Sequence, residues 1–263
     1  DFEEEVSLRT GLIFKAYTSN YNMSGFTKEV SETDLLGLGE EKSIPFVVDL
    51  GSGSLISFKD HNLTIDSIPL RKIRSGVHLV TFSGDKLVGG PQCGIIAGRK
   101  DLIAKINKNP MKRAMRCDKI TISALSAVLK LYRRPEKAKK SIPTLRLIFR
   151  SKTEIKSVAD RILPLLKSHF NESVILQVID CYSQVGSGSL PGRYLPSAGV
   201  SIRFKTKNSE HKRLNGLANT FRSLPLPIIG RIHENSLIFD FRCLEDEKLF
   251  INQLEFLPRN LGA

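Results

Sequence analysis

Apolar residues in this chain come in short blocks and in spaced stripes. Compact blocks bounded by glycine, proline or polar clusters read as strands, and stripes at spacings of three and four read as helices. The blocks are Gly11–Ala16, Pro45–Leu50, His78–Phe82 and Cys93–Ala97. Helices are expected at Ser31–Gly39, capped by Ser31 or Thr33, at Ser67–Ser75 as a crossover, and at Asp101–Asn107. Strands alternating with helices predict an α/β layered fold with a mainly parallel sheet. Ile120–Tyr132 predicts a helix whose stripe of Ile122, Leu125, Leu129 and Tyr132 is core, and Arg133–Lys140 a basic connector.

A second rhythm begins near Arg150. Lys152–Phe170 carries Ile155, Val158, Ile162 and Leu166 on one helical face, with Pro164 as a candidate kink. Ser173–Asp180 and Ala198–Thr206 read as strands around a Gly/Pro/Ser loop, Gly186–Pro196. A helix at Ser209–Phe221 follows. Then come a hairpin, Ile228–His233 and Ser236–Phe241 turning at Glu234-Asn235, and a closing helix, Glu245–Leu254. The order divides the chain into 1–149, an α/β unit, and 150–263, a small α+β unit.

The chain has 263 residues, enough to bury a real core. No apolar run approaches the roughly eighteen residues of a membrane span, and the acidic start, Asp1-Phe2-Glu3-Glu4-Glu5, is no signal peptide. Cys93, Cys117, Cys181 and Cys243 lie far apart without a C-x-x-C, which predicts reduced cytosolic thiols, mostly core, and no metal site. The net charge is +13. Between Arg99 and Arg150 stand sixteen Lys/Arg and three acids, so the whole excess lies in that segment. Such a surface suits a polyanion, whose phosphates dominate affinity.

Chemistry concentrates where two strands end. Lys86 follows the His78–Phe82 block inside Ser83-Gly84-Asp85-Lys86, with Gly89, Gly90, Pro91 and Gly94 downstream. A lysine held at the end of a core strand can be a desolvated amine that forms a Schiff base. Asp49 ends the preceding strand, 37 positions earlier. Pyridoxal phosphate (PLP) chemistry needs this pair: an amine to hold the aldehyde as an imine, and a carboxylate to keep the pyridine nitrogen protonated. Tyr17-Thr18-Ser19-Asn20, after the first strand, can contact a cofactor or simply turn the chain. Gly51-Ser52-Gly53 lacks the third glycine of a dinucleotide fingerprint, since Ile56 stands in its place.

The order strand–Asp, crossover, strand–Ser-x-x-Lys resembles the aspartate-aminotransferase-like superfamily of PLP enzymes. VDLGSGSL (48–55), TFSGDKLVGGPQCGII (81–96), NPMKRAMRCDKIT (109–121) and IPTLR (142–146) sharpen that to the bacterial selenocysteine synthase family, the L-seryl-tRNA(Sec) selenium transferases. YTSNYNMSGFT (17–27), GSGSLPG (186–192) and PIIGRIHEN (227–235) agree, in family order along almost the whole chain. The resemblance implies a PLP-dependent transferase-like fold. Residues 1–149 would be the C-terminal half of its large, mainly parallel-sheet domain, and 150–263 its small α+β C-terminal domain. It implies PLP held by Lys86, with Asp49 on the ring nitrogen and Ser83 on the phosphate. Arg113 and Arg116, three apart and on one face if helical, would bind an anionic donor.

The implied reaction converts seryl-tRNA(Sec) to selenocysteinyl-tRNA(Sec), with selenophosphate as donor, by β-elimination and selenium addition. Asp85 either assists proton movement or orients Lys86. A cytoplasmic homo-oligomer built from dimers is expected. The family's N-terminal portion precedes the segments matched here, so this piece alone is expected to be inactive. Two alternatives remain open: a related PLP lyase acting on a small amino acid or amino-sugar acid, and a non-catalytic remnant.

Overall fold

The computed structural model describes residues 1–17, 25, 28–58, 68–186, 194–206 and 210–261. Thr18–Asn20 and most of the Gly186–Pro196 loop lie outside the described residues. The chain divides into two compact units, one of 1–148 with 184–193 and one of 149–183 with 194–263.

The first unit opens with a short helix α1 (Phe2–Glu5) and strand β1 (Ile13–Ala16). Helix α2 (Glu32–Glu41) begins where the Ser31 hydroxyl accepts from Asp34 N–H, which settles its cap. Strand β2 (Phe46–Asp49), helix α3 (Pro69–Arg74) and strand β3 (Leu79–Ser83) form the crossover that the sequence predicts. β4 (Gly94–Gly98) completes a sheet of order β1-β2-β3-β4. β1, β2 and β3 run parallel, whereas β4 returns antiparallel to β3. Phe46, Val47 and Val48 are all buried, as expected for a parallel strand covered on both faces.

Five helices follow: α4 (Lys100–Lys108), α5 (Met111–Met115), α6 (Lys119–Leu131), α7 (Pro135–Ser141) and α8 (Pro143–Phe149). Two expectations fail here. The α6 stripe is not core, because Ile122 is 57% and Leu129 39% exposed. Ile122 and Leu129 lie seven apart, as do Leu125 and Tyr132, so the stripe is two parallel lines. The helix is rotated so that Tyr132, with Val128, packs against the sheet core and the other line faces outward. Nor is Arg133–Lys140 a connector. Pro135 opens α7 and Ala138 is fully buried against its surroundings, which holds the turn in helical form.

The second unit packs α9 (Lys152–Lys167), α10 (Glu210–Arg222) and α11 (Glu247–Leu254) with a sheet of order β5-β6-β8-β7. Its strands are β5 (Val174–Gln184), β6 (Tyr194–Phe204), β7 (Arg231–His233) and β8 (Ser236–Asp240). Ile155, Val158, Ile162 and Leu166 of α9 all enter its core, and Pro164 sits inside the helix. Ser151 and Glu154 form a capping box at its start. Glu234 and Asn235 adopt φ of 46° and 55°, the left-handed pair of a tight hairpin turn.

This unit also holds a polar clasp. Arg242, 5% exposed, donates from Nε to Ser183 Oγ (3.2 Å), from Nη1 to Arg150 O (3.0 Å) and from Nη2 to Pro196 O (2.5 Å). Asp240 Oδ1 accepts from Ser197 Oγ (2.6 Å) and Arg242 N–H (3.2 Å). Its Oδ2 accepts from Ser183 Oγ (2.7 Å) and Arg231 Nη1 (3.1 Å). Burial pushes the Asp240 carboxyl up, but these four donors outweigh it and hold the group below its ordinary value of 3.8. Arg150 Nη1 reaches the carbonyls of Phe241, Arg242 and Leu244 at 2.6–3.0 Å. None of the four cysteines is fully buried, and Cys243 is exposed, so their expected place in the core is not observed. Among the described residues no helix is long and apolar enough to cross a membrane, and no cluster of His, Cys, Asp and Glu could hold a metal.

Candidate active site

The site grows from the carboxyl ends of β2 and β3. Their register sets Asp49 opposite Thr81. Leu50 N–H donates to Thr81 O (2.9 Å) and Tyr17 N–H to Asp49 O (2.9 Å), so the end of β2 is clamped from both sides. Asp49 is half-buried. Its Oδ1 accepts from Thr81 Oγ1 (2.7 Å) and from Gly51 N–H (3.2 Å). Gly51 reaches back this way at φ +58°, a conformation that costs a side-chain-bearing residue energy. Oδ2 has no hydrogen-bond partner among the described residues.

Ser83 stands two residues beyond Thr81, at the last position of β3. Its N–H donates to Gly51 O (3.3 Å), tying the two strand ends together. The chain then turns through 84–88. Gly84 is the pivot: its N–H donates to Cys93 O (2.9 Å), its carbonyl accepts from Gly90 N–H (2.8 Å), and a Cβ there would stand 2.5 Å from Cys93 Sγ. Leu87 and Val88 are fully buried. Tyr132 on the last turn of α6 donates from Oη to Val88 O (2.9 Å), and burial pushes its phenol up to about 12, so it stays a donor. The turn is thus anchored on the side facing the core. Asp85 is exposed and Lys86 half-buried.

Asp49, Ser83, Asp85 and Lys86 therefore gather at one edge of the sheet. Among the described residues no hydrogen bond or ion pair occupies Lys86 Nζ or the Ser83 hydroxyl. This donor set fits PLP: a free amine for the aldehyde, an open carboxylate oxygen for the ring N–H, and an unengaged hydroxyl for the phosphate. Arg113 and Arg116 are exposed. α5 ends at Met115 and Arg116 is extended (φ −69°, ψ 140°), so the two do not share a helical face. Pro110 and the Asp118 cap of α6 confine the helix between them to five residues. Sequence reasoning misses Thr81. Only the β2–β3 register reveals it, and no spacing rule carries that register.

The family model described as L-seryl-tRNA selenium transferase (SelA) matches residues 1–245. The chain belongs to this family. It is 46% identical over 254 residues to the L-seryl-tRNA(Sec) selenium transferase of Escherichia coli O7:K1, covering 97% of this chain and 54% of that protein. The same figures hold for the enzyme of that name from Shigella boydii serotype 18. The chain thus spans about half the length of these relatives. A solved structure of D-glucosaminate-6-phosphate ammonia-lyase matches 97% of this chain and 59% of its own, with 18% identity and a TM-score of 0.56. That likeness bears on the fold alone, and it agrees with the α/β transferase-like architecture that the motifs imply.

Proposed function

We propose that this chain is the lysine-bearing part of a PLP-dependent L-seryl-tRNA(Sec) selenium transferase. It would convert seryl-tRNA(Sec) to selenocysteinyl-tRNA(Sec) with selenophosphate as the selenium donor. The observation that carries the proposal is the meeting of Asp49 and the Lys86 turn at the ends of adjacent parallel strands, with one Asp49 oxygen left open. In this reading residues 1–149 belong to the cofactor-binding large domain and 150–263 form the small C-terminal domain. A cytoplasmic assembly of dimers is part of the same reading.

Bound PLP would supply an aldehyde for the seryl amine and a ring able to take up electrons from the α-carbon. The chain's residues do the rest. Asp49 Oδ2 would hold the proton on the ring nitrogen. Ser83 would donate to the phosphate. Lys86 Nζ would anchor the cofactor and would receive the α-proton. Asp85, adjacent on the turn, orients that amine or relays its proton to water. Arg113 and Arg116 offer forked donors to the anionic selenophosphate. The basic surplus between Arg99 and Arg150 attracts the tRNA backbone, an interaction that weakens with salt.

The test is borohydride reduction of the full-length protein followed by peptide mapping. A pyridoxyl group on Lys86 is the expected result. A label on Lys15 or Lys119 instead overturns the assignment.

A further inference from the structure

We propose that Thr81 is a positioning residue for Asp49. Its hydroxyl occupies one carboxylate oxygen and fixes the rotation of the group, so the other oxygen is left to hold a proton on the cofactor's ring nitrogen. The inference rests on the reading of Asp49 given above and adds a residue to it.

The geometry is specific. Thr81 and Asp49 are direct partners in the parallel β2–β3 register, so their side chains stand side by side on one face of the sheet. Oγ1 lies 2.7 Å from Oδ1. An ionised carboxylate can only accept, so the hydroxyl donates. Gly51 N–H reaches the same oxygen at 3.2 Å. Both local donors therefore converge on Oδ1, and Oδ2 stays free among the described residues.

The donor itself is held still. Threonine is stiff at χ1, and Thr81 is paired on its other side with Ile96 of β4. Its carbonyl accepts from Leu50 N–H at 2.9 Å. Both donors hold Oδ1, so the carboxylate cannot turn and Oδ2 is the oxygen left to meet a ring N–H. Without that contact the ring nitrogen is held less well as N–H and takes up electrons poorly. Thr81 thus acts through Asp49 and does not touch the reacting atoms.

The experiment uses the full-length protein loaded with PLP labelled with nitrogen-15 in the ring. Thr81→Val keeps the side-chain shape and removes the hydroxyl; Thr81→Ala is a second hydroxyl-free variant should valine impair folding. Either should move the ring-nitrogen resonance from the pyridinium toward the pyridine position. Loss of a charge-assisted bond should also weaken cofactor retention about ten- to a hundredfold. Thr81→Ser should restore both readouts. A merely structural threonine would not change the nitrogen's protonation. Unchanged resonance and retention in the hydroxyl-free variants overturn the inference. Asp49→Asn, run in parallel, separates the failures. If it moves the resonance while Thr81→Val does not, only the role of Thr81 falls. If neither moves it, the placement of Asp49 falls as well.

Discussion

Asp240 in the second unit and Asp49 in the first are both half-buried carboxylates at the ends of strands, and their surroundings differ in one respect. Asp240 accepts four hydrogen bonds, two on each oxygen. Asp49 accepts two, both on Oδ1. The arginines divide the same way. Arg242 spends its donors on Ser183 and two backbone carbonyls in the interior, whereas Arg113 and Arg116 stand in solvent. A saturated polar cluster holds a fold together, because removing one member strands the others without water. A cluster with an open acceptor, an open amine and an open hydroxyl keeps those groups available to a ligand. The comparison thus sets a saturated use of charge beside an open one, which the proposed function reads as reactive.

The sharpest way to break that comparison is at Asp49. Asp49→Asn in the full-length protein keeps the shape and a weaker contact but loses the charge. Turnover should fall by orders of magnitude while the thermal midpoint stays near that of the parent. Near-normal turnover would falsify the reactive assignment.

The next effect belongs to the clasp and should be the mirror image. Arg242→Ala removes the cation beside Asp240 and takes the guanidinium donors from three acceptors, Ser183 Oγ and the carbonyls of Arg150 and Pro196, and should destabilise by about 3–5 kcal/mol. Cofactor uptake by the folded fraction should be unchanged. A thermal melt and an absorbance titration read the two quantities separately. The clasp should also show in the pH dependence of stability. The folded-state value of Asp240 lies below its ordinary 3.8. Its contribution is therefore complete above the ordinary carboxylate range and is lost as pH falls through the folded value. Asp240→Asn should flatten the acid limb of the stability curve, and a variant with the parent's acid limb would place the protonation elsewhere.

The smallest effect concerns the exposed arginines. Arg113→Lys and Arg116→Lys conserve charge but remove the fork, so donor affinity or turnover should drop about tenfold. Attraction of tRNA is diffuse and should barely change. If tRNA binding weakens instead, the two belong to the general basic surface.

Much of the fold and of the site is legible in the amino-acid order. Lys86, Asp85 and Ser83 lie within four consecutive residues, so their grouping is local and survives any error in tertiary placement. The strand blocks and the α9 stripe are legible for the same reason, since burial imposes a period on neighbouring residues. The α6 stripe misleads because a periodic helix states that it has an apolar face but not which of two adjoining lines meets the core. Arg113 and Arg116 mislead because a spacing of three implies a shared face only if the helix continues, and here it stops at Met115.

The sequence by itself determined the alternation of strand and helix, the basic segment and the order of the candidate site residues, because each depends on contacts within a few positions of the chain. Only the tertiary structure decided that Thr81 faces Asp49, that Ser183 meets Asp240 across 57 positions, and that Arg242 reaches Arg150 across 92. Those pairings follow from strand register and from the closing of long loops. Register is fixed jointly by every side chain that must find the core, so no single stretch of sequence contains it.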